Sequence, residues 1–138
     1  MTEPLLLDTC ALIWASGGLN GSDLLRGYLL SALDAGETVW VSPISVWELG
    51  NMAARGRLGL VHPILPWFEA LLARSHLKQT EIGAKVLAAS TNLPGTIHSD
   101  PADRIIVATA REYGLRLVTR DRKILDYAER GHVMALAC

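Results

Sequence analysis

Cysteine is scarce in this sequence, with only Cys10 and Cys138 among 138 residues. The two lie far apart along the chain without the spacing of metal-ligand pairs, and two cysteines are too few for a disulfide scaffold. The composition therefore excludes a small disulfide-rich fold. We expect both side chains to be reduced thiols.

Long apolar runs and an excess of one charge are also missing. Charged or turn residues interrupt the longest apolar stretches, and no basic region precedes an apolar one near residue 1, so we expect neither a membrane span nor a signal peptide. The expected location is the cytoplasm. A formal net charge of −1 argues against broad electrostatic wrapping of nucleic acid but leaves room for a local basic rim around a site.

Several common catalytic motifs are lacking as well. The four histidines, at positions 62, 76, 98 and 132, do not have zinc-like spacing. The sequence contains no phosphate-binding glycine loop and no nucleophile elbow. These absences leave carboxylate chemistry as the principal candidate.

Apolar residues make up half of the chain, which is enough to form the core of one domain spanning 1–138. Short apolar runs alternate with helical periodicities, which predicts an α/β fold. The predicted strands are 5–7, 39–41, 115–119 and 133–136, with a short extended segment at 77–80. The predicted helices are 10–14, 22–34, 43–55, 67–75, 81–91, 101–113 and 124–129.

The segment HSDPADR at 98–104 is followed at once by the apolar run IIVATA. Asp100 before Pro101 is typical of a helix N-cap with proline at the first helical position, so Asp103 falls in the first turn. The helix beyond it is apolar on nearly every side and is predicted to be buried. Taken alone, capping and the helix dipole explain these acids as well as a functional role does.

Another acid lies in the helix predicted to begin at residue 43. We place Val46 and Trp47 together on one side of this helix, with Glu48 facing elsewhere. No basic residue stands one turn away from Glu48, so an i,i+4 ion pair does not account for it. Glu48 is therefore a candidate site residue.

Four acids are predicted to meet at one edge of the sheet. Asp8 and Asp121 follow strands, whereas Glu48 and Asp103 lie in early turns of helices that start from the same edge, where α/β proteins bind ligands. Carboxylates a few ångströms apart repel one another, so the cluster requires a cation, and oxygen ligands favour Mg²⁺ or Mn²⁺. Such a site suits phosphodiester hydrolysis, because a divalent cation activates water and polarises phosphorus.

Polar residues beside these acids are candidates for supporting roles. The hydroxyls of Thr9, Ser45 and Thr119 can orient a water at the metal, although capping or turn formation explains them too. His98 can donate to a phosphate or a carboxylate, and a structural role beside the cap is its competing explanation. The basic candidates for holding a phosphate backbone are Arg104, Arg120, Arg122 and Lys123, and solvated surface charge explains the last two equally well.

Four motifs together resemble the PIN-domain ribonucleases, and specifically the VapC-type toxins of bacterial toxin-antitoxin pairs. The motifs are LLDTCAL at 6–12, SVWEL at 45–49, HSDPADR at 98–104 and LVTRD at 117–121. They occur in the order and spacing of that family, and the resemblance covers essentially the whole chain.

The resemblance implies a three-layer α/β/α sandwich around a central parallel sheet and Mg²⁺-dependent endonuclease action on RNA. It also implies a cognate antitoxin that blocks the site, and a homodimer. Its acidic quartet falls on Asp8, Glu48, Asp103 and Asp121, with Asp8 and Asp103 expected to hold the main Mg²⁺ and the other two to complete the site or activate water. Asp100 matches the Asp before Pro in this subgroup, and we treat it as a cap that supports the metal ligands.

Two other functions stay open. A strand that ends in Asp-Thr is also typical of phosphatases of the haloacid-dehalogenase type, with Asp8 as nucleophile, although Cys10 stands where that mechanism needs a second Asp. The other function is a cation-stabilised, non-enzymatic module that binds a helical protein partner. Its groove candidates are Met52, Leu58, Trp67 and Leu71.

Overall fold

A parallel sheet lies at the centre of the computed structural model, which describes residues 3–17, 23–59, 63–73 and 75–138. Its strands are β1 (Leu5–Leu7), β2 (Val39–Val41), β3 (Leu77–Gln79), β4 (Arg116–Thr119) and β5 (Ala135–Ala137). They lie in the order β3-β2-β1-β4-β5, and every neighbouring pair is parallel. β1 is therefore the central strand.

Helices form the crossovers that parallel strands require. They are α1 (Thr9–Ala15), α2 (Asp23–Asp34), α3 (Ile44–Ala54), α4 (Ile64–Ala73), α5 (Ala84–Ser90), α6 (Pro101–Tyr113) and α7 (Arg122–Glu129). None of the helices in the described ranges combines the length and apolar character needed to cross a membrane.

The side chains of β1 show how both faces of the sheet are covered. Leu5 and Leu7 belong to a core cluster shared with α1, α2, α3 and α4, whereas Leu6 belongs to a second cluster shared with α6 and α7. Successive residues of a strand face opposite sides, so the two clusters lie on opposite faces of the sheet. The predicted α/β/α sandwich around a parallel sheet is confirmed.

Helix α6 begins and ends as its sequence predicts. The Asp100 carboxylate accepts hydrogen bonds from the backbone N–H groups of Ala102 and Asp103, and Pro101 occupies the first turn. Gly114 ends the helix in the left-handed conformation at φ 65°. The stretch 106–110 is buried, as the apolar run predicts.

Several element boundaries differ from the prediction. Strand β5 is shifted toward the C-terminus, because its register is set by the pairing of Leu117 with Ala135 rather than by apolar character. Helix α5 starts at Ala84 instead of residue 81, since Gly83 is extended and caps it. Helix α4 starts three residues early, with Pro66 in its first turn, where proline is tolerated. The predicted start of α2 at Ser22 lies outside the described residues.

The predicted placement of Trp47 beside Val46 on a common side of α3 is wrong. Trp47 is 56% exposed, whereas Ser45 and Leu49 are fully buried. These two residues are one turn apart and define the inward stripe, so Trp47, about 200° around the helix from Ser45, faces solvent. Because Ser45 is polar, the hydrophobic pattern did not place it on the buried side of α3.

The residues suggested as a partner groove belong to the core. Leu71 is buried, and Met52, Leu58 and Trp67 are partly buried against the same cluster as Leu5 and Leu7. They pack the helical layer over the sheet, and this removes the groove on which the binding-module alternative depended.

The loop between α5 and α6 is fixed by side chains from other elements. The Tyr127 hydroxyl donates to the Pro94 carbonyl, and Arg130 donates to the Thr96 carbonyl at 2.8 Å. Gly95 adopts φ +66° and lies against the ring of His132. This loop leads directly to residues 98–104 and therefore sets where α6 begins.

We expect Gly95→Ala to lower the free energy of unfolding by roughly 2–3 kcal/mol, because it adds a clash to the strain of a left-handed residue. An added Cβ would lie 2.6 Å from His132 Nε2. Gly36→Ala is the matched control, since Gly36 has φ +70° with nothing within 4 Å of its added Cβ, so only the strain of roughly 1–2 kcal/mol applies. Urea denaturation measures the free energy of unfolding of both variants. Equal losses in the two would contradict a clash between the added Cβ and His132.

Candidate metal centre

Two neighbouring strands and two helices direct acids to one edge of the sheet. Asp8 follows β1 and caps α1, and Asp121 follows β4 and caps α7. Because β1 and β4 are adjacent and parallel, both acids lie at the carboxyl edge. Glu48 comes from α3 and Asp103 from the first turn of α6, which also packs against α3.

Asp103 is the residue around which the other ligand atoms gather. It belongs to two trios whose ligand atoms lie within 4.8 Å of one another, one with His98 and Asp121 and the other with Glu48 and Asp100. The structure therefore brings together three of the four predicted acids, together with two of the predicted supporting residues. Asp8 belongs to neither trio.

Asp8 is the most enclosed of the four acids, at 8% exposure. Its Oδ1 accepts the backbone N–H of Ala11 at 2.8 Å, and its Oδ2 accepts the Thr119 hydroxyl. Burial, together with the nearby charges of Asp103 and Asp121, raises its pKa from 3.8 to about 6, and the two hydrogen bonds oppose this shift. Asp8 therefore lies within the electrostatic reach of the trios although it stands outside them.

A chain of hydroxyls orients Glu48. Thr9 Oγ1 donates to Glu48 Oε1 at 2.5 Å and lies 2.8 Å from Ser45 Oγ. Because Thr9 has a single hydroxyl proton, Ser45 donates to Thr9 and Thr9 donates to Glu48. Burial raises the pKa of Glu48, the Thr9 hydrogen bond opposes this, and the charge of Asp103 adds to it.

His98 contacts a carboxylate, which is one of the roles predicted for it. Its Nε2 lies 2.7 Å from Asp103 Oδ2, and its Nδ1 is buried without a hydrogen-bond partner among the described residues. Burial raises the pKa of Asp103, and the hydrogen bond from His98 lowers it. His98 therefore fixes one Asp103 oxygen and leaves the other for a ligand.

Thr119 links two of the acids. Its hydroxyl donates to Asp8 and accepts the backbone N–H of Asp121 at 3.0 Å. Asp121 in turn accepts the backbone N–H of Lys123 at 2.8 Å. The hydroxyl therefore ties the carboxyl ends of β1 and β4 into one unit.

The basic candidates have different surroundings. Arg104 donates from Nε to the Ser90 carbonyl at 2.9 Å, so it holds the loop before α6. Arg122 Nε lies 3.4 Å from Asp126 on an exposed part of α7. Arg120 places its guanidinium 4.0 Å from the centroid of the Trp14 ring.

The two cysteines lie near the site. Cys10 is two residues after Asp8, and the Cys138 backbone N–H donates to the Thr119 carbonyl at 3.2 Å, which the sequence position of Cys138 did not indicate. Both are free thiols, as predicted. Burial raises the pKa of Cys10 and raises that of Cys138 to about 11, and the Asp8 carboxylate adds to both shifts. The thiols are therefore protonated at neutral pH, which suits neither metal binding nor nucleophilic attack.

The donor set fits a hard divalent cation. Carboxylate oxygens supply most of the clustered ligand atoms, and such oxygens are the ligands that Mg²⁺ and Mn²⁺ prefer. Burial and mutual repulsion raise the pKa of Asp8, Glu48 and Asp103, so a positive charge among them would relieve an existing cost. Each Asp8 oxygen accepts one hydrogen bond and keeps a lone pair that can face a cation.

Comparisons with known proteins agree with this architecture. Residues 5–130 match the family model of the PIN domain. Ribonuclease VapC22 of Mycobacterium tuberculosis (strain ATCC 25618 / H37Rv) is 39% identical over 96 residues, which span 70% of this chain and 72% of that protein.

Solved structures share the fold at lower identity. VapBC2 from Rickettsia felis, bound to a DNA fragment from its promoter, has a TM-score of 0.69 at 18% identity over 97% of this chain and 98% of that one. FitAcB from Neisseria gonorrhoeae has a TM-score of 0.60 at 22% identity over 96% of each chain. At these identities the likeness is evidence for the fold alone.

We expect Asp8→Asn to stabilise the metal-free protein at pH 8 by on the order of 2 kcal/mol. The variant keeps a capping oxygen for Ala11 but removes a buried charge whose pKa is raised from 3.8 to about 6. A raised carboxyl pKa means that ionisation opposes folding, so the parent gains stability as the pH falls through 6 towards 4. The advantage of the variant must therefore shrink over that window.

Chemical denaturation with EDTA at pH 8 and pH 4.5 measures this difference. Added Mg²⁺ should stabilise the parent more than the variant at pH 8, because it neutralises the same repulsion. A variant less stable than the parent at pH 8 in EDTA would contradict the electrostatic assignment.

Proposed function

Because the chain belongs to the PIN-domain family, we propose that it is a metal-dependent endoribonuclease that acts as the toxin of a toxin-antitoxin pair. The observation that carries the proposal is the convergence of Glu48, Asp103 and Asp121 beside the buried Asp8. The ribonuclease that is 39% identical to this chain supports RNA as the substrate.

The proposed metal ligands are Asp103, Glu48, Asp121 and Asp8, with Asp100 and His98 in support. A bound Mg²⁺, or Mn²⁺ in its place, would supply positive charge that stabilises the phosphodiester oxygens and lowers the pKa of water. The chain's own residues orient this site. His98 holds one Asp103 oxygen, Thr9 holds one Glu48 oxygen, and Thr119 holds one Asp8 oxygen.

The hydrogen bonds from His98, Thr9 and Thr119 fix the orientation of the carboxylates of Asp103, Glu48 and Asp8. The two threonine contacts restrain Glu48 and Asp8 without neutralising them, since a hydroxyl carries no charge. Orientation of ligands by neighbouring groups lowers the reorganisation needed when a cation and a phosphodiester bind. We therefore assign Thr9, Ser45, Thr119 and His98 to positioning the acids.

We expect Asp103→Asn to reduce Mg²⁺-dependent RNA cleavage by about 100-fold or more, because it removes charge from the residue common to both trios. Asp34→Asn is the matched control, since Asp34 is exposed at the end of α2. EDTA should abolish cleavage by the parent, and Mg²⁺ or Mn²⁺ should restore it.

Cleavage of labelled RNA oligonucleotides measures these rates, and circular dichroism checks that both variants are folded. Cleavage by Asp103→Asn at the parent rate, or full activity in EDTA, would overturn the proposed mechanism.

The proposed protein partners are a cognate antitoxin and a second copy of the chain, all in the cytoplasm. The antitoxin is supported by the solved toxin-antitoxin complex from Klebsiella pneumoniae, whose fold this chain shares with a TM-score of 0.56 at 23% identity over 86% of this chain and 88% of that one. The homodimer rests on the family resemblance and is measured by light scattering, as a mass of twice 15.0 kDa.

We expect expression of the chain alone to arrest bacterial growth, and co-expression of the small protein encoded next to it to relieve the arrest. Asp103→Asn should not arrest growth but should still copurify with that small protein, because binding does not require catalysis. Arrest by Asp103→Asn as strong as that by the parent would contradict a toxin that acts through this site.

A further inference from the structure

Arg120 lies between two residues of the acidic site, Thr119 and Asp121, but its side chain stacks on an aromatic ring. Thr119 before it binds Asp8, and Asp121 after it caps α7. Its Cζ nevertheless lies 4.0 Å from the Trp14 ring centroid. Across residues 3–17, 23–59, 63–73 and 75–138, its guanidinium forms neither an ion pair nor a hydrogen bond with any group.

Stacking leaves the edge of a guanidinium available. The cation–π contact uses the face of the planar group, whereas its five N–H donors lie in the plane. A phosphate accepts two of these donors side by side, which a carboxylate at the site does not do here. Arg120 is therefore exposed, is oriented by the Trp14 ring, and has no acidic partner among the described residues.

Trp14 is held in a fixed relation to the site. It lies on α1, which begins at the Asp8 cap, and its ring packs partly against the core cluster that contains Leu12. The same ring lines a cavity of about 560 Å³ with Leu25 and Leu29 of α2. The ring therefore packs against the core on one part and presents a face to Arg120.

Two other basic candidates do not offer the same contact. Arg104 is engaged with backbone carbonyls, and Arg122 has Asp126 beside it on an exposed helical face. The acids at the site repel a polyanion, so a substrate needs a local positive contact next to them. Arg120 is adjacent to Asp121 in the chain and is oriented by a rigid ring.

We infer that Trp14 is a positioning residue that holds the Arg120 guanidinium beside the acidic site as a contact for a phosphate of the RNA. The inference rests on the proposed ribonuclease function and adds a residue with no acidic or basic group to the substrate-binding machinery. Such a contact binds the substrate before and during the reaction, so its loss raises KM more than it lowers kcat.

Steady-state kinetics of the cleavage of a single-stranded RNA oligonucleotide test the inference. Arg120→Ala is expected to raise KM about tenfold with kcat within about twofold, and Trp14→Met to raise it by a similar factor. Trp14→Phe keeps a ring and should stay close to the parent. Arg122→Ala is the matched control and should leave KM unchanged.

The salt dependence of RNA binding gives a readout that a structural defect would not move. Loss of one phosphate contact lowers the slope of log K against log[salt] by about 0.7 for single strands. The slope should fall by this amount in Arg120→Ala and in Trp14→Met, and the double variant should lose no more than either single one. Thermal denaturation checks folding, and Trp14→Leu is a second ringless variant.

The outcomes separate the two proposals. If the parent does not cleave RNA with Mg²⁺, the proposed function fails, and the binding slopes still decide whether Arg120 and Trp14 form a phosphate contact. If the parent cleaves RNA but Arg120→Ala keeps the parental KM and slope, the inference alone is overturned. A folded ringless variant of Trp14 that binds like the parent overturns it as well.

Discussion

Mutual repulsion of buried carboxylates is the constraint on which the site depends. Asp103 shares its surroundings with Glu48, Asp100 and Asp121, and burial raises the pKa of Asp8 to about 6. Acids at ordinary surface positions would spread apart and ionise freely. Here the strand ends and helix starts hold them together, so the folded chain carries an electrostatic cost that a divalent cation would remove. The fold is therefore better suited to the cation-bound site than to the bare one.

Rigid elements and neutral hydroxyls make this arrangement possible. Asp8 and Asp121 cap α1 and α7, so helix N-termini offset part of their charge. Thr119 joins the strand ends, and Thr9 holds Glu48, without bringing a compensating positive charge. A lysine or arginine in these places would satisfy the acids and leave nothing for a metal. The choice of threonine and serine keeps the acids oriented and still in need of a cation.

The sequence predicted what depends on local rules and missed what depends on distant contacts. The capping of α6 by Asp100 follows from neighbouring residues, and the order of strands and helices follows from periodicity. The exposure of Trp47 and the register of β5 do not follow from local sequence. The first depends on which face of α3 packs against the core, and the second on the pairing with β4. Thr9 is 36 residues from Ser45 and 39 from Glu48, so their hydrogen-bonded chain has no sequence signature. Four acids were predicted to converge. In the structure Glu48 and Asp121 each lie close to Asp103, whereas Asp8 lies outside both trios.

The same reasoning explains why the Arg120 guanidinium, which faces the substrate, must be held by a group other than an acid. An arginine paired with Asp8 or Asp121 would cancel charge needed for the metal and would have its own donors occupied. The cation–π contact with Trp14 holds the Arg120 guanidinium and leaves its N–H donors free for a phosphate. Because Trp14 belongs to the helix that Asp8 caps, the position of the phosphate contact and the position of the buried acid are set by one short element. A change in the packing of α1 would therefore displace both together, which couples substrate binding to the geometry of the acidic site.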